Sequence, residues 1–192
     1  MKHLLFSIAL AWVGTARATD TLRVASPGGA NIIRVWQQTD ASTKLSTSFF
    51  YDVQHDGKQL LAPSRLGLDL DNYTWERALA RKYQQYDCWM QGFAVDSLSY
   101  GQHRATINNL YGEQAEVHDG FNCGTLFLSK HDGSQYRLNI EVRAYDEGIA
   151  FRYFLPEHPQ AVFHKVTADL TEYTFAPGTK VWQQSGHRLP TN

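Results

Sequence analysis

Apolar and polar residues alternate with a period of two through most of this chain. In the clearest run, Ile140, Val142 and Ala144 alternate with Glu141, Arg143 and Tyr145. Beyond Asp146-Glu147-Gly148, Ile149, Phe151 and Tyr153 alternate with Ala150 and Arg152. Such alternation marks half-buried strands, and Asp-Glu-Gly is turn chemistry. Val142 and Tyr153 share a face only if the loop has an even number of residues, which predicts a loop of two or four. Upstream, Leu45, Thr47, Phe49, Tyr51 and Val53 alternate, and His55-Asp56-Gly57-Lys58 follows. Asp-Gly there predicts a type I′ hairpin that pairs Val53 with Leu60 and Tyr51 with Ala62. Leu66, Leu68 and Leu70 form the next alternating run, with Gly67 and Asp69 between them.

Shorter apolar runs predict strands over 22–24 and 32–38, parted by Pro27-Gly28-Gly29. Others fall at 105–110, 125–128, 136–145, 161–166, 168–175 and 181–183. The stretch 71–92 departs from the pattern. It scatters Tyr73, Trp75, Tyr83, Tyr86 and Trp89 among charges, and only 77–85 has any helical character. It reads as an irregular excursion. About ten short strands with glycine-containing turns predict one all-β domain, an antiparallel β-sandwich.

The first residues carry a different signal. Met1-Lys2-His3 precedes an apolar run from Leu4 to Gly14, and Ala16-Arg17-Ala18 follows. A positive start, a short apolar core and an A-x-A site predict a signal peptide over 1–18, with the sandwich over 19–192. The alternative is a buried N-terminal helix. Export places the mature chain in the periplasm or outside the cell, with no membrane anchor. The formal net charge is −1, which gives no electrostatic case for nucleic acid. Cys88 and Cys123 are the only cysteines. In an exported chain they are candidates for a disulfide, and a loop of about 35 residues would gain about 4 kcal/mol from one. Two separate buried thiols are the other reading.

Candidate chemistry is sparse. The eight histidines form no H-E-x-x-H, and there is no nucleophile elbow, phosphate loop or dinucleotide fingerprint. Glycoside hydrolysis needs two carboxylates flanking one bond. Asp146 and Glu147 are adjacent, so they read as turn residues rather than as such a pair. Glu113 with Glu116, and Asp69 with Asp71, have nothing in the sequence to bring them a partner. No catalytic, metal-binding or cofactor-binding residue is assigned. The aromatic excursion offers Trp75 and Trp89 as carbohydrate-stacking candidates, because a ring face suits the apolar side of a sugar. The competing reading puts those rings in the core or over its edge. Asn72-Tyr73-Thr74 matches a glycosylation sequon.

Several segments together carry a family resemblance. In order they are Ser26-Pro27-Gly28-Gly29, Pro63-Ser64-Arg65-Leu66-Gly67-Leu68, Tyr111-Gly112-Glu113, the run from Arg143 to Tyr153, and Phe175-Ala176-Pro177-Gly178 with Val181-Trp182. In order and spacing they resemble the N-terminal domain of family-97 glycoside hydrolases, over about residues 22–183. The resemblance implies an exported, calcium-dependent architecture of sandwich, β/α barrel and C-terminal β-domain that cleaves α-glucosidic or α-galactosidic bonds. It places the catalytic carboxylates and most calcium ligands on the barrel, and one calcium glutamate on the sandwich shortly after Trp182. Residues 183–192 contain no glutamate, Glu172 lies too early to take that role, and the sequence reaches Asn192 without a barrel.

Three readings follow. The leading one is the sandwich of an α-glycoside hydrolase, ending before its barrel and incomplete at its C-terminal end. Alone it has no hydrolase activity and no cofactor. Its partner is an α-linked oligosaccharide or polysaccharide, met through the barrel. The second is a free-standing carbohydrate-binding module. The third is an exported adhesion or assembly sandwich.

Overall fold

A computed structural model describes residues 21–39, 47–70, 88–111, 113, 115–159 and 163–182. Eleven strands are present among them, and every pairing is antiparallel. One sheet contains β1 (Leu22–Ala25), β2 (Asn31–Thr39), β3 (Thr47–His55), β4 (Lys58–Leu66) and, at its edge, β11 (Thr174–Phe175). A second contains β6 (Phe93–Asn108), β7 (Glu116–Lys130), β8 (Arg137–Tyr145) and β9 (Ile149–Phe154). A small ribbon joins β5 (Leu68–Leu70) to β10 (Val166–Asp169).

The alternation builds the core directly. Leu22, Val24, Ile33, Val35, Phe49 and Tyr51 point inward from the first sheet. Leu126, Leu128, Leu138, Ile140, Val142 and Ala144 meet them from the second. Two facing sheets with dry inner faces make the predicted sandwich. Gly124 lets the layers approach at β1: a Cβ there would sit 2.7 Å from Leu22 Cδ1 and 2.8 Å from Val24 Cγ2.

The β8–β9 loop has two residues, Asp146 and Glu147, closed by Tyr145 and Gly148 bonding to each other. Val142 pairs with Phe151 and Ile140 with Tyr153, as the even-loop argument requires. The Asp56-Gly57 turn forms with φ of 48° and 72°, both in the left-handed region a type I′ turn demands. Its register beyond Gln59 differs from the simple one. Val53 pairs with Leu61 and Tyr51 with Ser64, because two irregularities shift β4 against β3. Leu60 is therefore 50% exposed, while Leu61 packs against the core and Leu66 is buried. A bulge swaps the face of every residue beyond it.

Two other expectations need correction. The strands placed at 105–110 and 125–128 belong to a hairpin that begins at Phe93 and reaches Lys130. The half that was missed starts at Phe93, where a register shift between Val95 and Ser97 breaks the alternation. At the C-terminal side, strand is limited to Val166–Asp169 and Thr174–Phe175, and 181–182 lies outside any strand. Between β10 and β11 the backbone turns aside to bond Gly67 and Arg65. The excursion at 71–87, the segment 1–20 and residues 183–192 lie outside the described residues.

Candidate functional site

Three of the segments that carry the resemblance, Ser26–Gly29, Pro63–Leu68 and Arg143–Tyr153, meet in space at two clusters joined by β9. In the first cluster, the Asp146 carboxylate accepts a 2.7 Å bond from the Gly28 N–H. A Cβ on Gly28 would come within 3.0 Å of that carboxylate oxygen, so glycine leaves the room the bond needs. Gly29 holds φ at 79°, which closes the Ser26–Gly29 turn. Buried Asn31 ties the two turns together. Its Nδ2 donates to the carbonyls of Tyr145 at 3.0 Å and Asp146 at 2.8 Å. Its Oδ1 lies 2.6 Å from His55 Nδ1. An amide oxygen only accepts, so His55 carries its proton on Nδ1.

In the second cluster, Tyr153 Oη accepts from the Gly67 N–H at 3.1 Å and lies 2.7 Å from Thr171 Oγ1. Gly67 is pressed against Leu170: a Cβ there would fall 2.8 Å from the Leu170 Cβ. Tyr51 Oη donates to the Glu172 carbonyl at 2.9 Å. The Glu172 N–H donates to the Arg65 carbonyl, and the Arg65 N–H to Glu172 Oε2. Arg65 Nε is 3.5 Å from Glu172 Oε1, an ion pair that makes no hydrogen bond. Burial first, and nearby charges second, push the Tyr51 phenol far above its usual range. Burial does the same to Tyr153. Both are neutral hydrogen-bonding groups at any physiological pH, so neither serves as an acid–base group.

This arrangement is structural chemistry. Asp146 holds a backbone turn, Asp52 is paired with Arg34, Glu141 with Arg152, and Glu172 with Arg65. Among the described residues no three His, Cys, Asp or Glu side chains gather closely enough to hold a metal ion. Calcium takes six to eight oxygens, so the described part of this chain does not fit a calcium cage. A shallow groove of about 300 Å³ lies where β6 and β7 project, lined by Arg104, Thr106, His118 and Asp119. The Arg104 guanidinium there is already bonded to the carbonyls of His103 and Phe121 and to Asn122.

The predicted site residues fare unevenly. Cys88 and Cys123 are both free thiols. Cys88 is buried in the core, with its thiol directed at the Leu68 carbonyl at 3.4 Å. Cys123 is on the opposite face of β7 from the core residues Gly124 and Leu126, against Gly101. A sheet stands between the two sulfurs, so the disulfide does not form. Trp89 is also corrected. It is 6% exposed, wedged against Phe93 at 4.9 Å and Tyr136 at 5.5 Å, with Lys130 Nζ over its ring at 5.0 Å. Its faces are occupied by protein, so no sugar stacks there. Trp75 lies outside the described residues.

Sequence reasoning missed two groupings. His158 and His164 both pack on Tyr136, at 4.8 and 6.2 Å between ring centres. Burial, then neighbouring His158, lowers the His164 pKa. On the outer face of the first sheet, Trp36 and Phe50 are register partners with near-parallel rings 6.3 Å apart. The signal for that pair was present: Trp36 and Phe50 occupy outward positions of two alternating strands.

Comparison with known proteins agrees with this picture. The family profile described as glycosyl-hydrolase 97 N-terminal matches residues 24–192. Solved structures of a glycoside hydrolase family 97 enzyme from Pseudoalteromonas sp. strain K8, in complex with panose and with acarbose, superpose with a TM-score of 0.62 at 20% identity. A β-arabinopyranosidase superposes at 0.59 with 19% identity. Each likeness covers 81% of this chain. The chain spans about a fifth of those proteins: 20% of the Pseudoalteromonas enzyme and 21% of the arabinopyranosidase. No curated protein matches the sequence.

Proposed function

We propose, because this chain belongs to the glycosyl-hydrolase 97 N-terminal family, that it is the sandwich domain of an exported α-glycoside hydrolase. Its task is to dock on a catalytic domain and shape the pocket that receives an α-linked oligosaccharide. The observation that carries this reading is a run of exposed apolar side chains along the C-terminal segment, the ledge on which a partner would sit. Phe163, Val166, Tyr173, Val181 and Trp182 are all more than half exposed, and Trp182 reaches 95%. Apolar side chains concentrated in this way mark a surface that another protein covers. Calcium would bind where the catalytic domain supplies the oxygens this chain lacks. Export rests on the signal-like segment 1–18.

The experiment is co-expression of the chain with a family-97 catalytic polypeptide that lacks its own sandwich. The two should elute together and scatter as a one-to-one complex. Tyr173→Ala with Trp182→Ser should weaken that association at least tenfold. Two separate species at micromolar concentration would reject the docking role.

A further inference from the structure

We propose that the outer face of the five-stranded sheet carries a shallow site for a neutral, hydroxyl-rich chain, an α-linked oligosaccharide, seated on Trp36 and Phe50. The inference rests on the glycoside-hydrolase reading above, but places sugar contact on a surface that reading does not require.

The argument begins with register. Ile33, Val35, Phe49 and Tyr51 point into the core, so Arg34, Trp36, Phe50 and Asp52 are on the other face of the sheet, where Asp52 is buried against Arg34 and Gln59. Trp36 lies directly opposite Phe50, and Phe50 directly opposite Arg65. Strands are about 4.8 Å apart, so this row of three side chains spans about 10 Å. The two half-buried rings, within 23° of parallel and 6.3 Å apart at their centres, make the aromatic floor.

Each side of the floor is fenced by an ion pair. One row along the strands, Arg34 grips Asp52 in a bidentate contact, Nε to Oδ1 at 2.8 Å and Nη2 to Oδ2. Beyond Phe50, Arg65 faces Glu172. Each pair cancels its own charge, so the rim holds no net charge to attract an anion. Asp52 is buried beneath its partner, so what the rim offers to hydroxyl groups is the Arg34 guanidinium on one side and the half-exposed Glu172 carboxylate on the other. An aromatic face beside such a rim matches a sugar ring, which is apolar on its C–H side and wet around its edge. A protein partner fits less well, because a stable interface buries at least about 1,200 Å² in total and two half-buried rings supply a small part of it.

The test uses the full chain in affinity electrophoresis through soluble starch and in calorimetry with maltoheptaose and panose, beside β-linked cellohexaose. Starch should retard the chain, and maltoheptaose should bind more tightly than cellohexaose. Trp36→Ala and Phe50→Ala should each weaken binding tenfold or more. Trp36→Phe should retain most of it, and Leu60→Ala should change nothing. Thermal unfolding of each variant separates lost binding from lost folding. Unchanged binding in folded Trp36→Ala and Phe50→Ala would overturn the proposal, as would a chain that no saccharide retards. So would a Trp36→Ala variant that loses association with the catalytic polypeptide while no saccharide binds, since the face would then be a protein contact. Failure of docking alone, with starch retardation intact, would count against the ledge and leave the platform supported.

Discussion

At the scale of single residues, the Asp146 carboxylate, which the sequence reads as a turn residue, is held by backbone. Asp146 spends one oxygen on the Gly28 N–H, and Asn31 spends its amide on the same hairpin. The first bond is exposed and the second set is part-buried around a buried Asn31, which sets the expected costs. Asp146→Ala should lower stability by about 0.5–1.5 kcal/mol, and Asp146→Asn by less, because the amide keeps an acceptor oxygen. Asn31→Ala should cost more, about 1–3 kcal/mol, since it removes three bonds made by one buried side chain, two to the hairpin carbonyls and one to His55. Urea unfolding measures both. An Asp146→Ala chain as stable as the parent would show that the turn does not depend on the carboxylate.

At the scale of elements, the β3–β4 hairpin and the His158–His164 segment each make a testable claim. The shifted register exposes Leu60 and packs Leu61 on the core. Leu61→Ala should therefore destabilise clearly more than Leu60→Ala, which should stay within about 1 kcal/mol of the parent. The reverse order would restore the simple register. For the histidines, the sign follows from His164. Its folded pKa is lowered by burial and by His158, so the native state binds fewer protons than the unfolded chain. Its contribution is complete above the ordinary histidine value of about 6.5 and is lost as pH falls through the folded value. His158 is the charged or chargeable neighbour that packs on this ring, 6.4 Å between ring centres. Thermal unfolding between pH 7.5 and 5 should show falling stability, and His164→Gln should flatten that slope. An unchanged slope would assign the pH dependence elsewhere.

At the scale of the whole molecule, the family signatures at Gly28, Asp146, Gly67 and Tyr153 hold turns to sheets, and several apolar residues of the C-terminal segment are exposed. Purified alone, the chain should turn over no nitrophenyl α-glucoside or α-galactoside, because hydrolysis needs two carboxylates flanking the bond. Turnover that survives purification and disappears with Asp146→Asn or Glu147→Gln would reverse that expectation.

Periodicity alone determined that this chain makes antiparallel strands, which residues of β2, β3, β8 and β9 face inward, and that the loop at Asp146 is even. Side chains alternate along any strand, so one buried face leaves a legible trace. The Asp56-Gly57 turn was legible for the same local reason, since few residues adopt a left-handed backbone. Segment order and spacing were also enough to identify the family. Only the tertiary structure decided the rest. The β3–β4 bulges depend on which sheet is packed above, the separation of Cys88 from Cys123 on which side of β7 each sulfur falls, and the burial of Trp89 on Phe93, Tyr136 and Lys130 arriving from distant strands. Likewise, the neighbours that turn Asp146 and Tyr153 into structural clamps are 118 and 86 residues away along the chain. Contacts of that span leave no periodic mark, because they are set by how sheets stack and not by how one strand alternates.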